Sequence, residues 1–167
     1  MAYTGPYATL YHAEGARNGL DGNLVAAVAW RESGHNAAAV GDAGCSCGLM
    51  QLNWCGGAGY GYTCQQLQDP ATNVYLGARY LGACRSAFPG DWTRTIAAYR
   101  QGIQGVIDNG PINEANYIDD ILNQWAAYAG TTPPPPSNGT TPTAPLSSTA
   151  IVALLAVGAL LVSEILR

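Results

Sequence analysis

The chain has 167 residues, enough for one domain with an apolar core, and 48% of them are hydrophobic while only 11% are charged. Its formal net charge is −4, and its seven basic residues, all arginine, form no cluster along the sequence. Binding to nucleic acid through phosphate contacts is therefore not expected.

Composition divides the chain into three regions. Residues 1–129 combine helical periodicity with glycine-rich loops and are predicted to form one folded domain. Residues 130–147 are rich in Pro, Thr and Ser and lack apolar periodicity, which indicates an extended linker. Residues 148–167 carry no charge before Glu164 and are apolar on every side of a helix, which predicts a C-terminal transmembrane anchor in a lipid bilayer. The alternative is a helix that packs on the domain or on a partner.

The first region is predicted to be mainly helical. The pair Asp69-Pro70 is a typical helix start, and the residues after it repeat apolar side chains at helical spacing. The predicted helices cover residues 6–18, 22–33, 70–88, 91–101 and 113–128. Residues 34–65 are rich in Gly and Cys and are predicted to form an irregular lobe with at most short strands, where binding residues tend to lie.

Four of the five cysteines lie in this lobe. An oxidised staple of the lobe is the favoured interpretation, with Cys84 able to tie the lobe to the helix at 70–88, and the sequence leaves the pairing open. Zinc binding and buried free thiols are the rival interpretations. No metal is predicted, because Cys45-Ser-Cys47 is tighter than zinc-finger spacing and His35 is the only nearby imidazole. The five residues are Cys45, Cys47, Cys55, Cys64 and Cys84.

Disulfides would place the domain outside a reducing cytosol, yet the N-terminus has neither a basic start nor an early apolar run, so no secretory signal peptide is expected. A tail-anchored protein that is loaded into a virus particle, or exported by a non-standard route, would satisfy both conditions. The expected location is therefore a virion membrane or a bacterial cell envelope, with the domain on a non-cytosolic side. Capsid or membrane proteins of a particle are then expected neighbours.

Glu32 is the residue that points to chemistry, because it lies at the end of the apolar helical run at residues 22–33. Desolvation there would disfavour the charged form and raise the pKa of the carboxyl. An acid that keeps its proton near neutral pH is what cleavage of a glycosidic bond requires. The pattern predicts an enzyme acting on a polysaccharide, and the alternative is a solvated carboxylate at a helix end.

Four sequence blocks follow in order over about residues 20–125. They are Glu32-Ser33 with Gly48-Leu49-Met50-Gln51-Leu52, then Asp69-Pro70 with Asn73-Val74 and Tyr80-Leu81, then Ala97-Ala98-Tyr99-Arg100-Gln101-Gly102, and last Asn116-Tyr117-Ile118. Together they resemble the soluble lytic transglycosylase domain of the lysozyme-like superfamily. The resemblance implies a mainly α, lysozyme-like α+β fold. Arg100-Gln101 replaces the Asn-Ala that is usual in this family, so we expect one wall of the cleft to differ.

The resemblance also implies a reaction on peptidoglycan. Glu32 would protonate the glycosidic oxygen between N-acetylmuramic acid and N-acetylglucosamine, while the substrate's own N-acetyl group stabilises the oxocarbenium charge. The Glu32 carboxylate would then take a proton from the C6 hydroxyl, and a 1,6-anhydro end would form. One residue serves as acid and then as base, and no cofactor is implied.

Supporting residues are assigned by the same resemblance. Tyr99 corresponds to a tyrosine that hydrogen-bonds near the acid, or is simply a buried helix aromatic. Gln51 and Met50 correspond to residues that line sugar subsites, with core packing as the alternative for Met50. Ser33 would orient the acid or cap its helix, and Tyr117 corresponds to an aromatic side chain on the cleft wall.

Two other readings of the same fold remain. Hydrolysis normally needs a second carboxylate, and a muramidase similar to goose-type lysozymes would use Asp42 or Asp69 to position water. Asp42 is the only carboxylate in the loop between Glu32 and Gly48, and its alternative role is that of a turn residue. A non-catalytic structural membrane protein of a virion is the third hypothesis, which the Arg100-Gln101 departure leaves open.

Overall fold

The computed structural model of the protein describes residues 1–134, and within them seven α-helices surround a lobe of three short strands. The helices are α1 (Ala8–Arg17), α2 (Gly22–Ser33), α3 (Cys64–Leu67), α4 (Pro70–Ala87), α5 (Trp92–Gln101), α6 (Ile103–Asn109) and α7 (Tyr117–Ala129). The strands β1 (Val40–Gly41), β2 (Ser46–Cys47) and β3 (Leu52–Asn53) lie between α2 and α3. The prediction of a mainly helical domain with an irregular lobe is thereby confirmed.

The C-terminal predictions fall on residues beyond those described. The linker from residue 135 onwards and the transmembrane anchor at 148–167 lie outside the described residues. Among the helices of residues 1–134, none combines the length and the apolar character that crossing a membrane requires.

All five predicted helices are present, the one at 22–33 with the predicted bounds and the other four with shifted ends, and two short helices, α3 and α6, were not predicted. Helix α6 has seven residues and no side-chain cap at its start, so its sequence lacks the usual start signal. Helix α7 begins later than predicted, because Ala115 and Asn116 adopt left-handed φ angles of 50° and 58° in a short turn. That turn proves important for the site described below.

Helix α2 is the centre of the core. Its N-cap Asp21 accepts a hydrogen bond from the backbone N–H of Asn23 at 2.9 Å, and the helix ends at Gly34 with a left-handed φ of 61°. All residues from 22 to 29 are buried, and the helix packs against α1 and α7. Only its last turn, with Arg31 and Glu32, therefore comes to the surface of the domain.

The strands form an antiparallel sheet in the order β1-β2-β3, with Val40 opposite Cys47 and Ser46 opposite Asn53. Two disulfides staple this lobe. They join Cys45 to Cys55 and Cys47 to Cys64, which connects β2 to the start of α3. So small a sheet buries little surface of its own, and the cross-links compensate by restricting the unfolded chain.

Cys84 does not take the role expected of it. The four lobe cysteines pair with one another, and Cys84 remains a free thiol buried in the core on α4, beside Tyr80. The prediction that it ties the lobe to the helix at 70–88 is therefore wrong. Across residues 1–134, no group of three or more His, Cys, Asp or Glu side chains could hold a metal ion.

The lobe is instead joined to α4 by the side chain of Asn73, which is fully buried. Its Nδ2 donates hydrogen bonds to the carbonyl oxygens of Cys47 at 2.9 Å and Leu67 at 2.7 Å. Its Oδ1 accepts from the backbone N–H of Met50 at 2.7 Å. Gly48 passes so close that a Cβ there would lie 2.2 Å from Nδ2, and its φ of 83° also requires glycine.

Replacing Asn73 with Ala should destabilise the domain by about 3 kcal/mol, because three buried backbone groups lose their partner. Urea unfolding followed by circular dichroism would measure the change. Asn109→Ala is the matched control, since the Asn109 amide makes one exposed hydrogen bond, to Gly105 at 3.2 Å. The control should change stability by no more than about 0.5 kcal/mol. Equal effects from the two substitutions would contradict the role given to Asn73.

Candidate active site

A cleft of about 670 Å³ opens where the last turn of α2 faces the lobe, the end of α5 and the start of α7. This volume lies in the range that accommodates a drug-sized ligand. The charged residues that line the cleft are Arg31, Glu32, Asp42 and Arg100. The cleft therefore contains two carboxyl groups and two guanidinium groups, and its chemistry depends on how they are arranged.

Glu32 lies in the last turn of α2, where the hydroxyl of Tyr117 donates a hydrogen bond to its Oε1. Burial is the largest influence and raises the pKa of Glu32 above its ordinary value. The hydrogen bond from Tyr117 and the charges of Arg100 and Arg31 act in the opposite direction, while the charge of Asp42 adds to the increase. The net effect is a raised pKa, so this carboxyl keeps its proton to a higher pH than an exposed glutamate does.

Tyr117, which is 1% exposed, contacts two arginines. The guanidinium carbons of Arg31 and Arg100 lie 5.4 Å and 5.2 Å from the centroid of its ring, within cation–π range. Burial and the neighbouring Glu32 raise the pKa of Tyr117 well above its ordinary value. The Tyr117 hydroxyl therefore stays protonated and acts as a hydrogen-bond donor to the acid.

Tyr99 also lines the cleft, but its hydroxyl donates to the backbone carbonyl of Met50 at 2.9 Å. The hydrogen bond to the acid comes from Tyr117 and not from Tyr99. The Met50 side chain is fully buried, and a Cβ on Gly77 of α4 would lie 2.4 Å from its sulfur. The Met50 side chain therefore packs in the core, the alternative given for it, and does not line the cleft.

Gln51 and Ser33 both hold the backbone around the cleft. Gln51 lines the cleft, but its Nε2 donates to the carbonyl oxygens of Ala39 at 3.2 Å and Gly48 at 3.0 Å. Ser33 is absent from the cleft wall, because its hydroxyl donates to the carbonyl of Leu49 at 2.7 Å. Ser33 thereby ties the end of α2, which carries the acid, to the lobe.

The two candidates for a second carboxylate lie in different places. Asp42 lines the cleft and accepts a hydrogen bond from the hydroxyl of Ser46. Asp69 is the N-cap of α4, where it accepts from the backbone N–H of Thr72 at 2.8 Å, and hydrogen bonds from Thr72 lower the pKa of its carboxyl. Of the two, only Asp42 shares the cleft with Glu32.

Three large side chains of the cleft, those of Arg31, Tyr80 and Arg100, were not predicted as functional residues, although each had left a signal in the sequence. Arg31 directly precedes the acid, and Arg100 is the departure from the family motif. Tyr80 belongs to the second sequence block, and its hydroxyl donates to the carbonyl of Ala98 at 3.2 Å while its ring lies 5.4 Å from that of Tyr99. Their positions next to the acid or within the sequence blocks could have identified these residues, whereas their contacts depend on the fold.

Tyr117→Phe should raise the pKa of Glu32 further, because it removes a hydrogen bond that favours the carboxylate form. A carbon-13 NMR titration of the Glu32 side-chain carboxyl would measure the shift. Tyr75→Phe removes the hydroxyl of an exposed tyrosine on α4 that does not line the cleft, and it should leave the titration unchanged. A pKa that falls in Tyr117→Phe, or does not move, would contradict the role given to this hydroxyl.

Comparison with known proteins identifies the domain. The model of the Transglycosylase SLT domain family matches residues 9–122. An inactive mutant of the lytic transglycosylase Slt from Pseudomonas aeruginosa is similar in structure, with a TM-score of 0.62, 26% identity, and coverage of 77% of this chain and 25% of that one.

The 70-kDa soluble lytic transglycosylase from Escherichia coli has the same fold, with a TM-score of 0.63 at 23% identity over 76% of this chain and 25% of that one. A complex of the 70-kDa soluble lytic transglycosylase with bulgecin A matches with a TM-score of 0.63 at 23% identity, over 77% of this chain and 25% of that one. This chain thus spans about a quarter of the length of these solved structures. From the match over residues 9–122, the chain belongs to the Transglycosylase SLT domain family.

Proposed function

We propose that this chain is a peptidoglycan lytic transglycosylase that cleaves the β-1,4 bond between N-acetylmuramic acid and N-acetylglucosamine. The observation that carries the proposal is the Glu32 carboxyl, which has a raised pKa, lines an open cleft and accepts a hydrogen bond from Tyr117. Membership of the Transglycosylase SLT domain family and similarity to solved lytic transglycosylases support the reaction class.

In the first step, protonated Glu32 donates its proton to the glycosidic oxygen. The bond between C1 and that oxygen breaks, and its electron pair leaves with the N-acetylglucosamine side. The N-acetyl carbonyl of the muramic residue stabilises the positive charge at C1. Glu32 is now a carboxylate, and the hydrogen bond from Tyr117 and the charges of Arg100 and Arg31 stabilise this form.

In the second step, the Glu32 carboxylate takes the proton of the C6 hydroxyl. The C6 oxygen then bonds to C1, which closes a 1,6-anhydro ring and returns Glu32 to its protonated state. The first step needs Glu32 protonated and the second needs it as a carboxylate, and the surrounding residues favour both forms. Burial favours the acid before cleavage, and Tyr117 with the two arginines favours the carboxylate after it.

Hydrolysis is the second candidate function, and one observation favours it. Asp42 lines the same cleft, and its charge acts directly on the pKa of Glu32, so a water molecule between the two carboxyls would have both groups near it. Hydrolysis would leave reducing muramic ends, whereas transglycosylation leaves anhydro ends that are lighter by one water. Asp69 is not a candidate for this role, because it caps α4 outside the cleft.

Mass spectrometry of purified peptidoglycan after digestion should therefore find 1,6-anhydro-muramyl ends. Glu32→Gln should reduce their formation by about 1,000-fold, because an amide can neither donate nor accept the transferred proton. Asp108→Asn is the matched control, since it makes the same change of carboxyl to amide on α6, away from the cleft lining.

Three other outcomes would contradict the proposed transglycosylase reaction. Reducing ends that disappear in Asp42→Asn would establish the hydrolase. Undiminished cleavage by Glu32→Gln would remove Glu32 from the mechanism. A wild-type chain that binds glycan but releases no product would support the non-catalytic structural protein.

We also propose that residues 148–167 anchor the enzyme in a lipid bilayer, with the catalytic domain on a non-cytosolic side of a virion membrane or a bacterial cell envelope. Support for the anchor comes from the sequence, in which this apolar run has no charge before Glu164 and follows a Pro-rich stretch. Support for the non-cytosolic side comes from the two disulfides of the lobe. In a virus particle, such an enzyme would open the cell wall locally during genome entry or exit.

Partition of the chain between Triton X-114 and water tests the anchor. Wild-type protein should enter the detergent phase, and the double substitution Leu155→Arg with Leu160→Arg should move it to the aqueous phase, since each central arginine opposes insertion by about 3 kcal/mol. Thr140→Arg with Thr143→Arg adds the same charge to the predicted linker and should leave the protein in the detergent phase. Wild-type protein in the aqueous phase would refute the anchor.

A further inference from the structure

We propose that Arg100 binds a carboxylate of the glycan substrate beside Glu32, and that the enzyme thereby selects muramyl glycans that carry an anionic group. The inference rests on the proposed function and names the chemistry that the site recognises. It follows from the position of Arg100, from its weak engagement within the protein, and from the charge of the cleft around it.

The first observation is the position of Arg100. It lines the cleft near the end of α5, and its guanidinium carbon lies 5.2 Å from the centroid of the Tyr117 ring. The hydroxyl of the same ring is hydrogen-bonded to Glu32. A single aromatic side chain therefore separates the guanidinium from the acid, so a sugar bound for cleavage at Glu32 lies within reach of Arg100.

The second observation is that Arg100 is weakly engaged. Among residues 1–134, its one side-chain hydrogen bond goes to Glu114 at 3.1 Å, and the two side chains are 43% and 69% exposed. A guanidinium has five N–H donors in a planar fork that matches a carboxylate. Exposed ion pairs contribute little free energy, so a substrate carboxylate can replace Glu114 at small cost.

Arg31, which lines the same cleft, makes more hydrogen bonds within the protein than Arg100 does and is less exposed. Its Nε donates to Asp120 at 3.0 Å, and its Nη2 donates to the carbonyl of Ala115 at 3.3 Å. The side chain is only 26% exposed. These contacts hold Arg31 against Tyr117 and the turn before α7. Of the two guanidinium groups in the cleft, Arg100 is thus the one available to a ligand.

The third observation is electrostatic. Asp42 lines the cleft beside Glu32, so an anionic substrate group would meet a negative charge there unless a cation received it. The Arg100 guanidinium supplies that cation where the family usually has Asn. A neutral polysaccharide gains nothing from this charge, whereas a glycan with carboxylates gains a charge-assisted hydrogen bond.

Gln101, the residue after Arg100, connects the end of α5 to the segment before α7. The Gln101 side chain donates to the carbonyl of Gly110 at 2.8 Å and accepts from the backbone N–H of Ile112 at 2.9 Å. Gln101 thereby holds the segment that leads to Glu114 against the end of α5. Both residues of the departure from the usual Asn-Ala pair thus have a defined role in this wall.

Peptidoglycan offers the carboxylate from two sources. In glycan without peptide stems, the lactyl group of each muramic residue ends in a free carboxylate. In glycan with stems, that group is bound in an amide, and the free carboxylates lie on the peptide. Stem-free glycan whose lactyl carboxylates have been converted to amides has the same sugars and neither anion, which makes it the matched neutral ligand.

Calorimetric titration of the chain carrying Glu32→Gln tests the proposal, because this background binds glycan without cleaving it. Adding Arg100→Gln should weaken binding of carboxylate-bearing glycan by about ten-fold and leave binding of the amidated glycan unchanged. Arg100→Lys should restore part of the loss, since it keeps the charge without the fork. Arg79→Gln, which removes an arginine from α4 outside the cleft, is the control and should have no effect.

A loss confined to stem-free glycan would assign the lactyl carboxylate, and a loss confined to stem-bearing glycan would assign the peptide. Glu114→Gln should tighten binding of the same ligand, because it removes the competing carboxylate. An equal loss on the amidated glycan, or no loss on any glycan, would overturn the inference. Failure of the proposed function is distinguishable, since it would appear as the absence of 1,6-anhydro ends after digestion by the wild-type chain, whatever the effect of Arg100→Gln on binding.

Discussion

One buried amide, that of Asn73, connects the helical core to the lobe through the backbone of Cys47, Leu67 and Met50. Backbone groups that are buried without partners cost free energy, so the lobe cannot shift against α4 without losing three hydrogen bonds. The carbonyl of Met50 also accepts the hydrogen bond of Tyr99, which lines the cleft, so the positions of the lobe and of this cleft residue depend on each other. The disulfides hold the lobe together, whereas Asn73 on α4 and Ser33 on α2 hold it in place relative to the acid.

The chemistry of the cleft depends on opposing influences on a single carboxyl. Burial raises the pKa of Glu32, and Tyr117, Arg100 and Arg31 lower it. An acid without these donors would give up its proton less readily, and one without burial would keep its proton only to a lower pH. A residue that must donate and then accept one proton needs both influences, and the proposed mechanism uses each in turn.

The site was predictable where a residue's role follows from its local sequence and not where it follows from packing. Glu32 could be identified because it lies at the end of an apolar helical run. Tyr117 lines the cleft as predicted and also donates the hydrogen bond to the acid, which had been expected near Tyr99, because the direction of a hydroxyl depends on how α5 and α7 pack against α2. Met50 and Ser33 lie in the matching block, yet they bind the backbone or fill the core.

The sequence by itself indicated the five longer helices and the candidate acid, since periodicity, caps and a desolvated carboxyl are properties of neighbouring residues. Only the tertiary structure decided the disulfide pairing, the buried place of Cys84 and the hydrogen bond from Tyr117 to Glu32, which joins residues 85 positions apart. It also decided that the motif departure at Arg100 places a weakly engaged cation in the cleft. The physical reason is that such contacts require chain segments to meet in space, and no local pattern specifies which groups will then be adjacent.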